Sequence, residues 1–241
     1  MSIHEYVVDT QSFNVLQSLV ADYVFNRALS KSELLVDFSH EHGVRGDFQC
    51  LRPRQNLMDV QMILYESPHP FFDRTTSIVS KYISELDDCE KLFIPMHDDC
   101  PGHWYLCVID FKHFDIQILD SLRSKSRDEF RFKSVKKVVE FCQTFFKLYD
   151  IRKDVFQFSI DWAPSIPTQD NGWDCGVHVI RHMQRFKNGD SMTRSDFCNS
   201  VKIRREIACD LVLHEGNREK QTIVAIVCTK TSTRAMKKLL L

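Results

Sequence analysis

Two apolar runs separated by a short polar turn constrain the fold of this chain more than any other feature. The first run covers residues 103–110, the second covers residues 116–119, and residues 111–115 lie between them. Each run has the length and the apolar composition of a β-strand. The pattern predicts an antiparallel β-hairpin, and hence a sheet against which the remaining elements pack.

An ionisable side chain stands at one end of each predicted strand. His103 opens the first strand, and Asp120 follows the last apolar residue of the second. Because the start of one strand lies beside the end of its antiparallel neighbour, we expect the imidazole and the carboxylate at the same end of the sheet. A carboxylate in that position fixes the tautomer of a histidine and stabilises its charged form, as a catalytic base requires.

A cysteine further along the chain is a candidate nucleophile. Residues 167–174 are rich in turn-forming types, and the apolar run after Cys175 predicts a helix that begins at or near this cysteine. Unpaired backbone N–H groups and the helix dipole favour a thiolate at such a position. Together with the amide of Gln169, six residues upstream, the same N–H groups are suited to hold the oxyanion of an acyl-transfer intermediate.

Each of these residues also has an ordinary structural explanation when it is considered alone. A cysteine before a helix is usually a small buried hydrophobe, and an aspartate after a strand is usually a cap. A zinc site of Cys175, His178 and His182 would lack an obvious fourth ligand, so no metal site is expected. His97 is a weaker alternative to His103 as the base. The joint order of histidine, aspartate, glutamine and cysteine favours catalysis.

In this order, the motifs resemble those of the ubiquitin-like-protein-specific cysteine proteases, the SUMO or sentrin-specific protease family. The matching pieces are Leu92-Phe93-Ile94-Pro95-Met96-His97, Gly102-His103-Trp104, Leu119-Asp120-Ser121-Leu122 and Gln169-Asp170-Asn171-Gly172-Trp173-Asp174-Cys175-Gly176-Val177, with weaker matches in Leu51-Arg52-Pro53 and Leu57-Met58-Asp59. The resemblance implies an α+β, papain-like cysteine protease fold. In that fold, helices flank a central mixed sheet and the nucleophile lies at a helix N-terminus.

The resemblance implies a catalytic role for four residues. Cys175 would be the nucleophile, and His103 would be the general base. Asp120 would orient His103. The side chain of Gln169 and the backbone N–H of Cys175 would form the oxyanion hole.

The resemblance also implies a site for the tail of a ubiquitin-like modifier. Trp104 would lie over a narrow tunnel for an extended Gly-Gly tail, because only glycine lets two backbones approach so closely. Asp59 and Trp173 complete the expected substrate-binding residues. The family usually has a tryptophan just before the leucine of the upstream motif, whereas this chain has Asn56. We expect this difference to affect which modifier is bound.

The expected activity is that of a thiol protease or isopeptidase that cleaves after the C-terminal Gly-Gly of a ubiquitin-like modifier, SUMO above all. It would serve precursor processing or deconjugation, without a cofactor. The expected partners are the modifier and its conjugates, with no nucleic acid and no membrane, and the protein is expected to be a monomer. Two alternatives stay open: an acyltransferase with the same His-Asp-Cys set, and an inactive module that binds ubiquitin-like proteins.

The composition fits such an enzyme. The chain has 241 residues, a net charge of −1 and no signal-peptide profile at its N-terminus. No apolar run reaches the roughly 18 residues that a membrane span requires. The nine cysteines are odd in number and irregularly spaced, which argues against a disulfide framework. We therefore expect an intracellular protein, in the nucleus, the cytoplasm or both.

Three segments are expected along the chain. Residues 1–47 would be an N-terminal helical extension, residues 48–215 the catalytic domain, and residues 216–241 a disordered C-terminal tail. Apolar periodicity and breaker residues predict the other elements. These are helices at 10–29, 59–65, 72–87, 135–149, 175–186 and 195–213, strands at 91–95 and 156–161, and a charged loop at 123–132.

Overall fold

The computed structural model describes residues 14–38, 41–57, 86–99, 102–185 and 192–239. Its helices are α1 (Val15–Val24), α2 (Asp128–Leu148), α3 (Cys175–Arg185), α4 (Ser200–Leu213) and α5 (Lys220–Leu239). Its strands are β1 (Leu34–Asp37), β2 (His42–Val44), β3 (Lys91–Asp98), β4 (His103–Asp110), β5 (Asp115–Leu119) and β6 (Ser159–Trp162). Asp59, the helix expected at 59–65 and most of the helix expected at 72–87 lie outside the described residues.

The chain divides into two compact units. One contains Pro53–Ile203, and the other contains the residues up to Arg52 together with those from Arg204 onward. These boundaries do not coincide with the divisions expected at 47/48 and 215/216. The assignment of residues 48–215 as the catalytic domain therefore stays a prediction.

The unit of residues 53–203 is built on a mixed four-stranded sheet in the order β3-β4-β5-β6. The β3–β4 and β4–β5 pairs are antiparallel, and the β5–β6 pair is parallel. The predicted hairpin is confirmed, with Asp110 paired to Asp115 beside the turn and Leu106 paired to Leu119. Every residue of β4 is buried, because this strand has a neighbour on each side and a covered face above and below.

Alternate residues of β4 pack against different helices, since successive side chains of a strand point to opposite faces. Cys107 and its odd-numbered neighbours join a core cluster with α2 that includes Phe146. Leu106 and Val108 join a second cluster with Cys175 of α3. The central hairpin therefore lies between α2 and the helix that begins at the candidate nucleophile.

Helix α2 begins earlier than the sequence predicts. Residues 128–132 were expected in a charged loop, but the helix begins at Asp128. Asp128 and Glu129 lie in its first turn, where negative charge is favoured by the helix dipole. Arg123 also binds Asp128, with Nη2 and Oδ2 2.6 Å apart. These local charge interactions explain why the prediction of a loop was wrong at this end.

The other unit contains α1, the β1–β2 hairpin, α5 and the part of α4 from Arg204 onward. Helix α1 begins with a capping box in which Asn14 and Gln17 each bond to the other's backbone N–H. The expectation of a disordered C-terminal tail was wrong, because α5 packs against α1 and buries Ile223 and Val227. These two residues are four positions apart and form one apolar stripe. None of the described helices is long and apolar enough to span a bilayer.

Two buried histidines of α3 are expected to make stability depend on pH. His178 and His182 pack against Phe197, with ring centroids 4.6 and 5.0 Å apart, respectively. Burial lowers the pKa of His178 to about 4 and that of His182 to about 3. The folded protein therefore keeps both rings neutral, whereas the unfolded chain protonates them below about pH 6.5. The free energy of unfolding should thus fall as the pH drops from about 6.5 to 4.

A histidine variant isolates this effect. His182→Leu is expected to reduce the loss of unfolding free energy between pH 7 and pH 4 by about 1–3 kcal/mol. Urea unfolding at each pH measures the loss, and His42→Gln, at an exposed position of β2, is the control. An identical pH dependence in wild type and His182→Leu would contradict the prediction.

Candidate active site

The end of the hairpin brings His103 and Asp120 together, as the strand pairing predicts. Nε2 of His103 lies 2.7 Å from Oδ1 of Asp120, and both residues are buried. The backbone N–H of Leu122 also donates to Oδ1, at 2.9 Å. Because Nε2 is engaged by the carboxylate, Nδ1 is the ring nitrogen left for a second partner.

That second partner is Cys175, the first residue of α3. Burial raises the pKa of its thiol, since Cys175 is only 1% exposed. The hydrogen bond with His103, the charge of that ring and the backbone N–H groups of Trp104 and Gly176 outweigh burial and bring the pKa below its ordinary value. At Cys142, by contrast, burial outweighs the opposing interactions and raises the pKa to about 11. The environment of Cys175 therefore favours a thiolate.

Two polar side chains hold the turn that delivers Cys175. Oδ1 of Asn171 accepts the backbone N–H groups of the two residues before the cysteine, both at 3.1 Å. Asp174 caps α3, because its backbone oxygen accepts the N–H of His178 at 2.9 Å. Its carboxylate accepts the hydroxyl of Ser200 at 2.7 Å. The turn predicted before Cys175 thus depends on Asn171, whereas the capping role of Asp174 was not predicted from the sequence.

The side chain of Gln169 is oriented from both ends. Its Oε1 accepts the hydroxyl of Ser121 at 2.6 Å, and its Nε2 donates to the backbone oxygen of Asn171 at 2.6 Å. An amide nitrogen carries two hydrogens, so one N–H beyond the bond to Asn171 is available for an oxyanion. Ser121, which directly follows Asp120, thus fixes one end of the Gln169 amide, a contact that was not predicted from the sequence.

The two tryptophans predicted to bind substrate both lie close to Cys175. Trp104 reaches the thiol with its backbone N–H, and its Nε1 donates to the backbone oxygen of Leu57 at 3.2 Å. Trp173 precedes Cys175 by two residues, and its side chain is 36% exposed. Asn56, which stands where the family usually has tryptophan, is exposed. One aromatic ring is thus packed at the site and the other faces solvent.

His97, the alternative base, has contacts different from those of His103. His97 lies on β3 beside Trp104, and its Nδ1 lies 2.9 Å from the exposed carboxylate of Asp99. It is therefore His103, rather than His97, that contacts both Asp120 and Cys175.

Within the described ranges, no group of three or more histidine, cysteine or acidic side chains is arranged to hold a metal ion. No disulfide joins the cysteines in the same ranges.

Gly176 is a position where a side chain does not fit. A Cβ atom there would lie 2.8 Å from both Cβ and Cδ1 of the buried Leu57. We expect Gly176→Ala to lower the free energy of unfolding by about 1–3 kcal/mol, because the clash must displace Leu57 or the start of α3.

A double-mutant cycle tests this contact. Leu57→Gly removes both obstructing atoms, so the double variant should lose less stability than the sum of the two single losses. Urea denaturation of the four proteins provides the comparison. Strictly additive losses would mean that the two residues do not clash.

Comparison with known proteins connects this geometry to a family. Residues 69–215 match the family described as the Ulp1 protease family, C-terminal catalytic domain. The matched region includes His103, Asp120, Gln169 and Cys175. The upstream motif that ends at Asp59 lies outside it.

Curated relatives from Arabidopsis thaliana carry related names. Ubiquitin-like-specific protease 1A is 29% identical over 115 residues, which cover 43% of this chain and 20% of the relative. The putative ubiquitin-like-specific protease 1B is 25% identical over 210 residues, which cover 69% of this chain and 58% of the relative. The chain thus spans between about a fifth and three fifths of the length of these relatives.

A solved structure shares the fold. The X-ray structure of the C-terminal Ulp1 protease domain in complex with Smt3, the yeast ortholog of SUMO, has a TM-score of 0.60 and 22% sequence identity. The similarity covers 85% of this chain and 97% of that one. The α+β papain-like fold predicted from the sequence is confirmed by this similarity.

Proposed function

The chain belongs to the Ulp1 protease family, and we propose that it is a cysteine protease that cleaves the bond after the C-terminal Gly-Gly of a ubiquitin-like modifier. The observation that carries the proposal is the contact of one imidazole with two groups. His103 bonds to the Asp120 carboxylate at 2.7 Å and to the Cys175 thiol. Such a thiol, base and orienting carboxylate form the minimal set for nucleophilic acyl transfer.

The first half of the proposed reaction forms a thioester. The thiolate of Cys175 attacks the carbonyl carbon of the last glycine, a C–S bond forms, and the carbonyl oxygen takes the negative charge. The Gln169 amide and the Cys175 backbone N–H donate to this oxyanion. The imidazolium of His103 gives its proton to the leaving amine as the C–N bond breaks.

The second half restores the enzyme. His103 now takes a proton from a water molecule, and the resulting hydroxide adds to the thioester carbonyl. The C–S bond breaks, the modifier leaves with a free carboxylate, and the thiolate of Cys175 returns. Asp120 stays ionised throughout, because its task is to orient the ring and stabilise the imidazolium. These steps need no cofactor.

The proposed substrate is a modifier with an extended Gly-Gly tail, joined either to a peptide or to a lysine side chain. We assign tail binding to Trp104 and Trp173, which lie close to the nucleophile, and to Asp59 of the upstream motif. SUMO is the favoured modifier because the solved Ulp1 domain holds Smt3, the yeast ortholog of SUMO. Asn56, which replaces the usual tryptophan, is proposed to modulate the choice of modifier.

The proposal includes the setting in which the enzyme works. We propose a monomer that binds the modifier and its conjugates, and that acts inside the cell, in the nucleus, the cytoplasm or both. A thiolate nucleophile keeps its activity only while it stays reduced, which such compartments ensure.

Product analysis on a panel of ubiquitin-like modifiers tests the proposal. Each modifier carries either a short peptide after Gly-Gly or an isopeptide link to a lysine-containing peptide. We expect cleavage after the second glycine, identified by mass, and no cleavage when the Gly-Gly is changed to Ala-Ala. Radiolabelled acetyl-coenzyme A is supplied in parallel. Acetyl transfer without cleavage would contradict the proposal, as would tight modifier binding by a folded protein that never cleaves.

A further inference from the structure

A buried arginine lies behind the Asp120 carboxylate. Arg131, in the second turn of α2, is only 2% exposed. Its Nη1 forms an ion pair with Oδ2 of Asp120, whereas His103 binds the other oxygen, Oδ1. The carboxylate is therefore held between a guanidinium and an imidazole.

The arginine belongs to a chain of alternating charges. Its Nε lies 3.9 Å from Oδ2 of the buried Asp98, at the end of β3. Arg127 binds both oxygens of Asp98, with distances of 2.5 and 2.9 Å. The guanidinium of Arg131 also lies over the ring of Tyr105, 5.4 Å from its centroid. Arg131 is thus fixed by groups on β3, β4 and the end of β5.

Packing does not explain an arginine at this position. The side chains with which α2 faces the sheet further along are mostly apolar, such as Val135, Val139 and Phe146. Burial of a guanidinium is unfavourable before its ion pairs are counted, and positive charge near a helix N-terminus opposes the helix dipole. What the arginine offers, and an apolar side chain would not, is a planar cation that compensates a carboxylate and fixes its orientation.

We propose that Arg131 is a positioning residue for the cysteine protease reaction. It holds the Asp120 carboxylate in the orientation that presents Oδ1 to His103, and it compensates part of the carboxylate's charge. The inference rests on the proposed function, because it assigns Arg131 to the same site.

The charge of Arg131 should influence the ionisation of the site. Its loss would leave the Asp120 carboxylate uncompensated, and the added negative charge would favour the protonated forms of the groups around it, so the pH profiles should move to higher pH. The charged and titratable groups around the ion pair of Asp120 and Arg131 lie on every element packed against it. They are Asp98 on β3, His103 and Tyr105 on β4, Asp120 after β5, Arg127 just before α2, Arg131 on α2, and Cys175 on α3.

Two arginine variants separate charge from geometry. Arg131→Gln removes the cation but keeps a hydrogen-bond donor, and Arg131→Lys keeps the cation but loses the planar fork. Arg123→Gln is the matched control, since Arg123 is an exposed arginine beside the same helix and pairs with Asp128. Two readouts are taken from pH 5 to pH 10. One is kcat and kcat/KM on a modifier-tail substrate, and the other is the rate at which iodoacetamide alkylates Cys175, followed by peptide mass.

We expect Arg131→Gln to lower kcat about ten- to a hundredfold through the misplaced base. The pH at which kcat/KM falls on the alkaline side should increase by about one unit. The pH at which the rate of Cys175 alkylation rises should increase by about the same amount. Arg131→Lys should lower kcat several-fold and leave both pH profiles in place. Arg123→Gln should match wild type in every readout.

Two results would overturn the inference. One is a folded Arg131→Gln with wild-type kcat and wild-type pH profiles. The other is equal loss of kcat in both variants without any shift of either profile, which would indicate a structural role. If Arg131→Gln does not fold, Arg131→Lys decides, because a lower melting temperature with unchanged kcat would contradict positioning. The alkylation profile needs no substrate. A wild type that never cleaves would refute the proposed function, while alkylation still tests Arg131.

Discussion

Cys175→Ala is expected to lower cleavage of a modifier tail by a factor on the order of 10⁵ or more. The variant has no sulfur to attack the glycine carbonyl, and the remaining oxyanion donors alone give little acceleration. The fold should persist, because the change removes one buried atom and costs about 1 kcal/mol. Turnover of a fluorogenic modifier-tail substrate gives the loss, and calorimetry should show that the modifier still binds.

A second cysteine provides the control for this result. Cys142 is also buried, but it lies in the core cluster between α2 and the sheet, whereas Cys175 packs on the other face. Cys142→Ala should lose some stability and keep its turnover. Hydrolysis retained by Cys175→Ala, or lost equally in both variants, would refute the assignment of Cys175 as the nucleophile.

His103→Ala is expected to lower kcat by about 10³- to 10⁴-fold, because both proton transfers lose their acid and base. Asp120→Asn should lose less, about 10²-fold, since Asp120 only orients the ring and stabilises its charge. The asparagine variant should also lose about 3 kcal/mol of unfolding free energy, because it leaves the buried Arg131 with a weaker partner. Steady-state kinetics and urea unfolding of both variants measure these losses.

Asp110 offers a matched control at the opposite end of β4. Its carboxylate is as buried as that of Asp120 and is paired with Lys91. Asp110→Asn should therefore cost stability and leave kcat near the wild-type value. If Asp110→Asn and Asp120→Asn lower kcat to the same extent, the loss comes from damage to the sheet and not from a misoriented base.

The sequence predicts the centre of this molecule well because local patterns determine it. Short apolar runs around a polar turn specify a hairpin, and antiparallel pairing then brings His103 and Asp120 to the same end. Turn residues followed by an apolar run place Cys175 at a helix start. The α+β class follows from the same elements. The mixed sheet does not, and was expected only from the resemblance to the protease family.

Contacts between distant segments could not be predicted in this way. The hydroxyl of Ser121 orients Gln169 across 48 residues of sequence, which no local pattern reveals. Arg131 falls within the charged loop predicted at 123–132, because burial of its charge depends on partners from other elements that no local pattern reveals. Helix α5 was missed because its apolar stripe is short and lies between polar and basic residues. Composition alone therefore favoured disorder.

The most direct measurement is the site of covalent capture by a SUMO-type modifier that carries a C-terminal vinyl sulfone. Intact mass gives the number of modifiers attached, and peptide mapping identifies the modified residue among the nine cysteines. The account predicts one adduct, on Cys175, that His103→Ala forms far more slowly. An adduct on any other cysteine, or no adduct with a folded wild-type protein and any modifier of the panel, would contradict it.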